Sequence, residues 1–200
     1  MNTIEAIETR RSVKSFDNTH NMPTDIEEKL LSAALLSPTA YNIQNWRFVV
    51  VRESSILEKI KEAAWGQSQI TDCSMLVVLC ADLKAWEKEP TRYWQNADEQ
   101  TRDYLLPLID GYYRDKPQVQ RDEAMRSCGL AAQSLMLASR ELGYDSCPMD
   151  GFDFEEVANI INLPDDHVIS MFVAIGKKTE EAWPRGGQLK KSEIIVRNQF

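Results

Sequence analysis

The chain has 200 residues with 43% apolar and 27% charged side chains, enough for one ordinary folded domain with a sizeable core and too ordered a composition for a disordered chain. Its net charge of −8 argues against a nucleic-acid partner, since phosphate backbones attract basic surfaces. No apolar run approaches the roughly 20 residues of a membrane-spanning helix, and the opening Met1-Asn2-Thr3-Ile4-Glu5 has neither the basic start nor the apolar stretch of a signal peptide. The expectation is a cytoplasmic protein with no membrane partner.

A short helix is expected around Ile4 and Ile7, followed by Arg10-Arg11-Ser12-Val13-Lys14-Ser15-Phe16. In an extended backbone Arg10, Ser12 and Lys14 point the same way, so two cations and a hydroxyl can hold a phosphate or an anionic ring edge. Taken alone, the cluster reads better as a solvated basic loop. Thr24-Asp25-Ile26-Glu27 reads as a capping box opening a helix that Pro38 stops. Next comes Ser37-Pro38-Thr39-Ala40-Tyr41-Asn42-Ile43-Gln44-Asn45-Trp46, between a helix stop and a strand start. There Asn42 and Gln44 would share a face at period two and suit a heterocycle with alternating carbonyl and N–H groups.

Strands are expected over 47–51, 75–81, 168–175 and, at the chain end, Ile194-Ile195-Val196. The apolar runs are continuous rather than alternating, so the sheet should be covered on both faces. Ser55-Ile56-Leu57-Glu58 and Asp153-Phe154-Glu155-Glu156 read as two further capping boxes, and 128–142 as a helix apolar on most sides and therefore central. The stretch 82–120 holds six of the chain's Trp and Tyr residues among many charges. It is either a pair of surface helices with aromatic anchors or a mobile aromatic lid over a planar ligand.

Cys73, Cys80, Cys128 and Cys147 are scattered and have no His beside them, so buried free thiols are expected and no metal site. Around Cys147, the turn Pro148-Met149-Asp150-Gly151 exposes backbone N–H groups just before a helix N-terminus, favourable for electron-rich acceptors. No nucleophile elbow, Walker loop or Ser-His-Asp set is present, so an enzyme here would rely on a cofactor.

Arg-Arg-Ser-x-Lys-x-Phe at 10–16, Ser-Pro-Thr-x-x-Asn-x-Gln-x-Trp-Arg-Phe-Val-Val at 37–50 and Cys-Pro-Met-Asp-Gly-Phe-Asp at 147–153 occur in that order. With Ala131 to Ala138 and Val173-Ala174-Ile175-Gly176, they make the chain resemble the nitroreductase family of flavin enzymes. The resemblance implies an α+β fold, an α/β/α sandwich with a central mixed, mostly antiparallel sheet clasped by helices and a C-terminal strand exchanged in a homodimer. It implies one FMN-binding domain over 1–200, reduced by NADH or NADPH, that passes hydride through flavin N5 to quinone or nitroaromatic acceptors by a ping-pong route, with no catalytic side chain. A flavin-dependent dehydrogenase or dehalogenase on the same fold, or a non-catalytic flavin-binding protein, are the alternatives.

By motif position, Arg10, Arg11, Ser12 and Lys14 would contact FMN. Pro38, Thr39 and Asn42, with Gln44 beside them, would reach the flavin of the other subunit. Gln67 and Gln69 lie where relatives contact the ring or ribityl chain. Pro148, Met149, Asp150 and Gly151 match the turn whose amide points at N5. Many relatives clamp the phosphate with an arginine where this chain has Gln188, which leaves Arg185 as the expected anchor and Lys177 and Lys178 as substitutes.

Overall fold

The computed structural model describes residues 1–200. Its elements in chain order are α1 (Thr3–Thr9), α2 (Thr24–Leu35), β1 (Trp46–Val51), α3 (Ser54–Ala63), α4 (Gln69–Asp72), β2 (Met75–Asp82), α5 (Glu99–Tyr113), α6 (Pro117–Glu141), β3 (Asp145–Met149), α7 (Phe154–Ile160), β4 (His167–Gly176) and α8 (Lys191–Ile194). Two 3₁₀ turns, Ala40–Asn42 and Pro90–Trp94, complete the set.

The four strands run in the order β1-β2-β4-β3, every pair antiparallel. The sheet is therefore not mixed; the one parallel contact is an isolated bridge between Ser12 and Ser146. All eight residues of β2 are buried, as a continuous apolar run requires of a sheet covered on both sides. Its side chains still alternate. Leu76, Val78 and Cys80 pack with Leu57, Ile60 and Val157 from α3 and α7, while Met75, Val77, Leu79 and Ala81 pack with Leu30 and Ala34 from α2 and with α6. A register shift between Leu79 and Cys80 puts an extra residue, Ser170, into β4. That bulge is why Ile169 shares a core with Phe172 rather than with Val173.

Helix α6 is the central helix, but it is longer than the sequence pattern suggested and not covered all round. Ala131, Ala132, Leu135 and Met136 are buried, whereas Leu130 is exposed. The expected capping boxes differ in outcome. Asp153 does cap α7, its side chain accepting from the Glu155 and Glu156 N–H groups at 3.0 Å. Thr24 is already inside α2, with Pro23 at the cap position, and Ser55 is inside α3, its hydroxyl donating to Glu53. At the chain end, 194–196 forms no strand. Ile194 closes α8, and Ile195 and Val196 after it are exposed irregular chain that pairs with neither edge strand, β1 or β3. Strand β3 carries Pro148, tolerable because β3 is an edge.

The 82–120 stretch is anchored rather than free. Trp86, Tyr93, Ile109 and Tyr113 form a small third core with Ile43. The segment is also pinned by ions, since Lys88 donates to Asp82 at 3.0 Å and to Asp166 at 2.6 Å. No helix is long and apolar enough to cross a membrane. All four cysteines are buried and free.

Candidate functional site

Helix α1 ends where Arg10 turns extended (φ −62°, ψ 133°). The chain then runs beside β3, with the Val13 N–H donating to the Ser146 carbonyl at 3.0 Å, and is tied on its other side by the Asp17 N–H to the Lys177 carbonyl (2.8 Å) and the Thr179 N–H to the Ser15 carbonyl (3.1 Å). Val13 and Phe16 enter the core. These two are three positions apart, so the strict alternation expected of the arm does not hold along it, although Ser12 and Lys14 are both exposed. Residues 183–188 cross back over this arm. Arg185 Nη2 donates to the Glu8 carbonyl (2.9 Å) and the Arg10 carbonyl (3.2 Å), and Arg11 donates to the Trp183 carbonyl.

The result is an open cleft of about 610 Å³ lined by Arg10, Arg11, Ser12 and Lys14 on one side and Trp183 to Gln188 on the other. Arg10, Arg11, Lys14 and Arg185 have no carboxylate within ion-pair distance, although eleven other Lys and Arg side chains or termini of the chain do. Arg10 Nη1 and Ser146 Oγ are buried without any hydrogen-bond partner. Burial, then the charges of Arg185 and Arg11, lower the pKa of Arg10. A buried donor without acceptor is costly, and like charges held together repel. This donor set is suited to an anion.

The third sequence cluster meets the first here. Burial pushes the Cys147 thiol up, while the charges of Lys14 and then Arg10 pull it back. Beyond it, Met149 is buried in the core, so only its backbone can serve a ligand, while Asp150 is exposed. Gln67 Nε2 donates to the Gly151 carbonyl at 2.8 Å, and Gln69 Nε2 donates to Gln67 Oε1 at 3.0 Å. The two glutamines thus brace the turn as a chain.

Trp65 was not singled out from sequence, yet it stands over this turn. Its ring lies 3.3 Å from where a Cβ on Gly151 would be, its side is 73% exposed, and its φ is +57°. A left-handed tryptophan is an uncommon conformation that surrounding structure must hold. The signal available in sequence was Trp65-Gly66 directly before Gln67.

The second cluster does not join this cleft within one chain. The loop is a 3₁₀ turn, not extended, with Tyr41, Asn42 and Gln44 at φ 55°, 54° and 43°. The extended, period-two backbone expected for Asn42 and Gln44 is therefore absent, although the turn still brings both to one hollow. Asn42 Nδ2 donates to the Tyr93 carbonyl (2.8 Å) and Thr39 Oγ1 accepts from the Gln44 N–H (3.0 Å). Asn42 and Gln44 line a separate hollow of about 410 Å³ with Arg92 to Ala97, and Pro38 precedes that loop. Lys177 also lies elsewhere. Its Nζ donates to the Gly143 carbonyl (2.5 Å) and sits 3.8 Å from the Tyr144 ring centre, and Lys178 is paired with Glu181. Arg185, not Lys177, lines the cleft.

Comparison with known proteins follows this geometry. The family model described as the nitroreductase family matches residues 7–177. Protein DrgA of Synechocystis is 50% identical over 182 residues, covering 91% of this chain and 87% of its own length. MhqN of Bacillus subtilis, which carries the provisional name NAD(P)H nitroreductase, is 31% identical over 196 residues, covering 94% and 95%. A structure from Exiguobacterium sibiricum, solved in complex with FMN, superposes with a TM-score of 0.88 at 25% identity, covering 98% of this chain and 97% of that one.

Proposed function

Because the chain belongs to the nitroreductase family, we propose that its residues 1–200 form one FMN-binding unit and that the protein is an oxidoreductase driven by NADH or NADPH, with quinones or nitroaromatic compounds as acceptors. The observation that carries this reading is the cleft of cations without carboxylate partners, one of which, Arg10, has a buried Nη1 with no hydrogen-bond partner. That donor set fits the phosphate and the electron-rich ring edge of FMN.

When bound, FMN supplies the redox chemistry, taking up two electrons from NAD(P)H and handing them to the acceptor. The protein's part is to bind and orient. Arg10, Arg11 and Arg185 would neutralise the phosphate, with Ser12 adding a hydroxyl donor. Lys14, set beside Cys147, would stabilise negative charge as it builds up on the ring. Gln67, braced by Gln69, fixes the turn at Gly151, and Pro148, Met149 and Asp150 carry its backbone toward the ligand. Trp65, exposed over the same turn, offers a planar face to a planar acceptor and keeps water from it. No side chain need act as acid, base or nucleophile.

A homodimer belongs to the same reading. Leu35, Leu36 and Leu130 are exposed on α2 and α6, and Leu189, Ile194, Ile195, Val196 and Phe200 are exposed along the tail. Strand β1 is an unpaired edge beside an apolar hollow of about 390 Å³, a place for a second copy's tail to add a strand. In such a pair Pro38, Thr39, Asn42 and Gln44 would act toward the cofactor seated mainly in the other subunit.

The test is purification followed by an absorption spectrum, chromatography of the heat-released flavin, and NAD(P)H oxidation with and without a quinone. A yellow protein releasing roughly one FMN per chain and turning over only with acceptor supports the reading. A colourless protein that takes up no added FMN refutes it, and a yellow one that oxidises no NAD(P)H is a binder rather than an enzyme.

A further inference from the structure

Helix α6 carries the buried polar residues Gln120, Glu123 and Ser127 at spacings of three and four, hence on one face. Glu123 is only 4% exposed, and a carboxylate so buried must be compensated by hydrogen bonds. It has three. Oε1 accepts from the Ala40 N–H at 3.0 Å and from the Ser127 hydroxyl at 3.1 Å, and Oε2 accepts from Arg126. Ser127 and Arg126 lie on α6 itself. Only the bond to Ala40 crosses to another element.

Ala40 opens the turn in which Tyr41, Asn42 and Gln44 all adopt left-handed backbone. Non-glycine residues in that region relax unless something holds them. The loop's other ties run within itself, from the Gln44 N–H to Thr39 Oγ1; to the aromatic segment, through Asn42 to Tyr93 and from Trp94 Nε1 to the Tyr41 carbonyl; and to β1, where Arg47 Nη1 donates to the Gln44 carbonyl at 3.0 Å. Glu123 alone fastens it by a side chain to the central helix.

We propose that Glu123 is a positioning residue, whose carboxylate on α6 fixes the Thr39–Gln44 turn in the shape that presents Thr39 and Asn42 to the cofactor. The clamp is a property of one chain, and its purpose rests on the function proposed above. What it needs is reach and an accepting oxygen, not charge. Glu123→Gln keeps both. Glu123→Asp keeps the charge but falls short by about 1.5 Å, one carbon–carbon bond.

The experiment is hydrogen–deuterium exchange of peptides spanning 38–45, together with FMN titration of the apoprotein, in wild type, E123Q, E123D and E123A. Exchange over 38–45 is expected to rise about tenfold or more in E123D and E123A, the loss of a hydrogen bond to a buried acceptor, and to stay near wild type in E123Q. Peptides of β2 and β4 should not change, and the FMN dissociation constant should follow the same order. Retention of protection in E123D with loss in E123Q would overturn the proposal, since charge would then be what matters. Equal loosening of α6, sheet and loop would overturn it too, by making Glu123 a general core residue. If the exchange order holds but FMN affinity is unmoved, the loop is clamped for some other purpose and the positioning role falls. If wild type binds no FMN, the functional reading fails while the exchange order still judges the clamp.

Discussion

Arg185→Ala is the sharpest test of how the cleft holds its ligand. In the structure Arg185 reaches the last turn of α1, donating to the Glu8 and Arg10 carbonyls, and its charge bears on Arg10. Two effects of its removal oppose each other in the apoprotein. The bonds to the negative end of the helix are lost, but repulsion within a cation cluster with no carboxylate is relieved, so the apoprotein melting temperature should move little. With FMN bound, only the loss remains. A hydrogen bond to a charged group contributes about 1.5–3 kcal/mol, which weakens binding roughly ten- to a hundred-fold. At a flavin concentration about a hundred times the wild-type dissociation constant, ligand stabilisation is about 2.7 kcal/mol, and a hundred-fold weaker site retains about 0.4 kcal/mol. For a chain of this size the FMN-induced rise in Tm should thus shrink from roughly 5–10 °C to roughly 1–2 °C. Thermal melts with and without FMN, alongside a fluorescence titration, read both numbers. Lys177→Ala serves as the control, because its ammonium is spent on the Gly143 carbonyl and the Tyr144 ring. Should Lys177→Ala weaken FMN binding while Arg185→Ala leaves it unchanged, the anchor has been assigned to the wrong side of the arm.

Gly151→Ala should displace the Trp65 ring, which would sit 3.3 Å from the new methyl, raising KM for a planar acceptor; an unchanged KM in both Gly151→Ala and Trp65→Ala would remove Trp65 from the acceptor site. Gly176→Ala places a methyl 2.9 Å from the buried Phe16 ring and 3.2 Å from the Ser74 nitrogen, so overpacking should cost about 1–3 kcal/mol, visible as a lower denaturant midpoint. Burial pushes Cys73, Cys80 and Cys128 up to about 12 and raises Cys147 as well. Native protein at pH 8 should therefore give almost no reaction with a thiol-disulfide reagent and four equivalents once denatured; one rapidly reacting native thiol would contradict this. The Lys88 hydrogen bond, then that of His167, holds Asp166 below the ordinary carboxylate value. A depressed acid stabilises above its unfolded pKa and loses that contribution as pH falls through the folded value, so the tie to the 84–97 segment should fail below roughly pH 4. A fall in that segment's amide protection factors on acidification, after correction for the intrinsic pH dependence of exchange and absent in Lys88→Ala, would report it.

The elements that the sequence alone determined are those whose cause is local. The run Met75–Asp82 is apolar at every position but the last, so it had to be a strand covered on both faces, and Asp153 caps α7 because its carboxylate needs only the N–H groups two and three residues on. The basic arm was legible as a run of cations, but not in its alternation, since Val13 and Phe16, three positions apart, both enter the core and Arg11 lines the cleft beside Arg10. Motif order then identified the family before any contact was known. Tertiary structure decided which side chains meet. Arg185 reaches Arg10 across 175 positions of chain, whereas Lys177, equally cationic and nearer the sheet, is captured by Gly143 and Tyr144. Asn42 and Gln44 were read as one face of an extended segment, but Glu123, Tyr93 and Trp94 hold that loop in left-handed turns. Trp65 carried no signal beyond its neighbours until Gly151 was found beneath it. The tail 194–196 has strand composition, yet within its own chain it pairs with neither edge of the sheet. Backbone propensity and periodicity act over a few residues, while the choice of a partner for a charge, an amide or a strand edge depends on what the whole fold brings within about 3 Å of it.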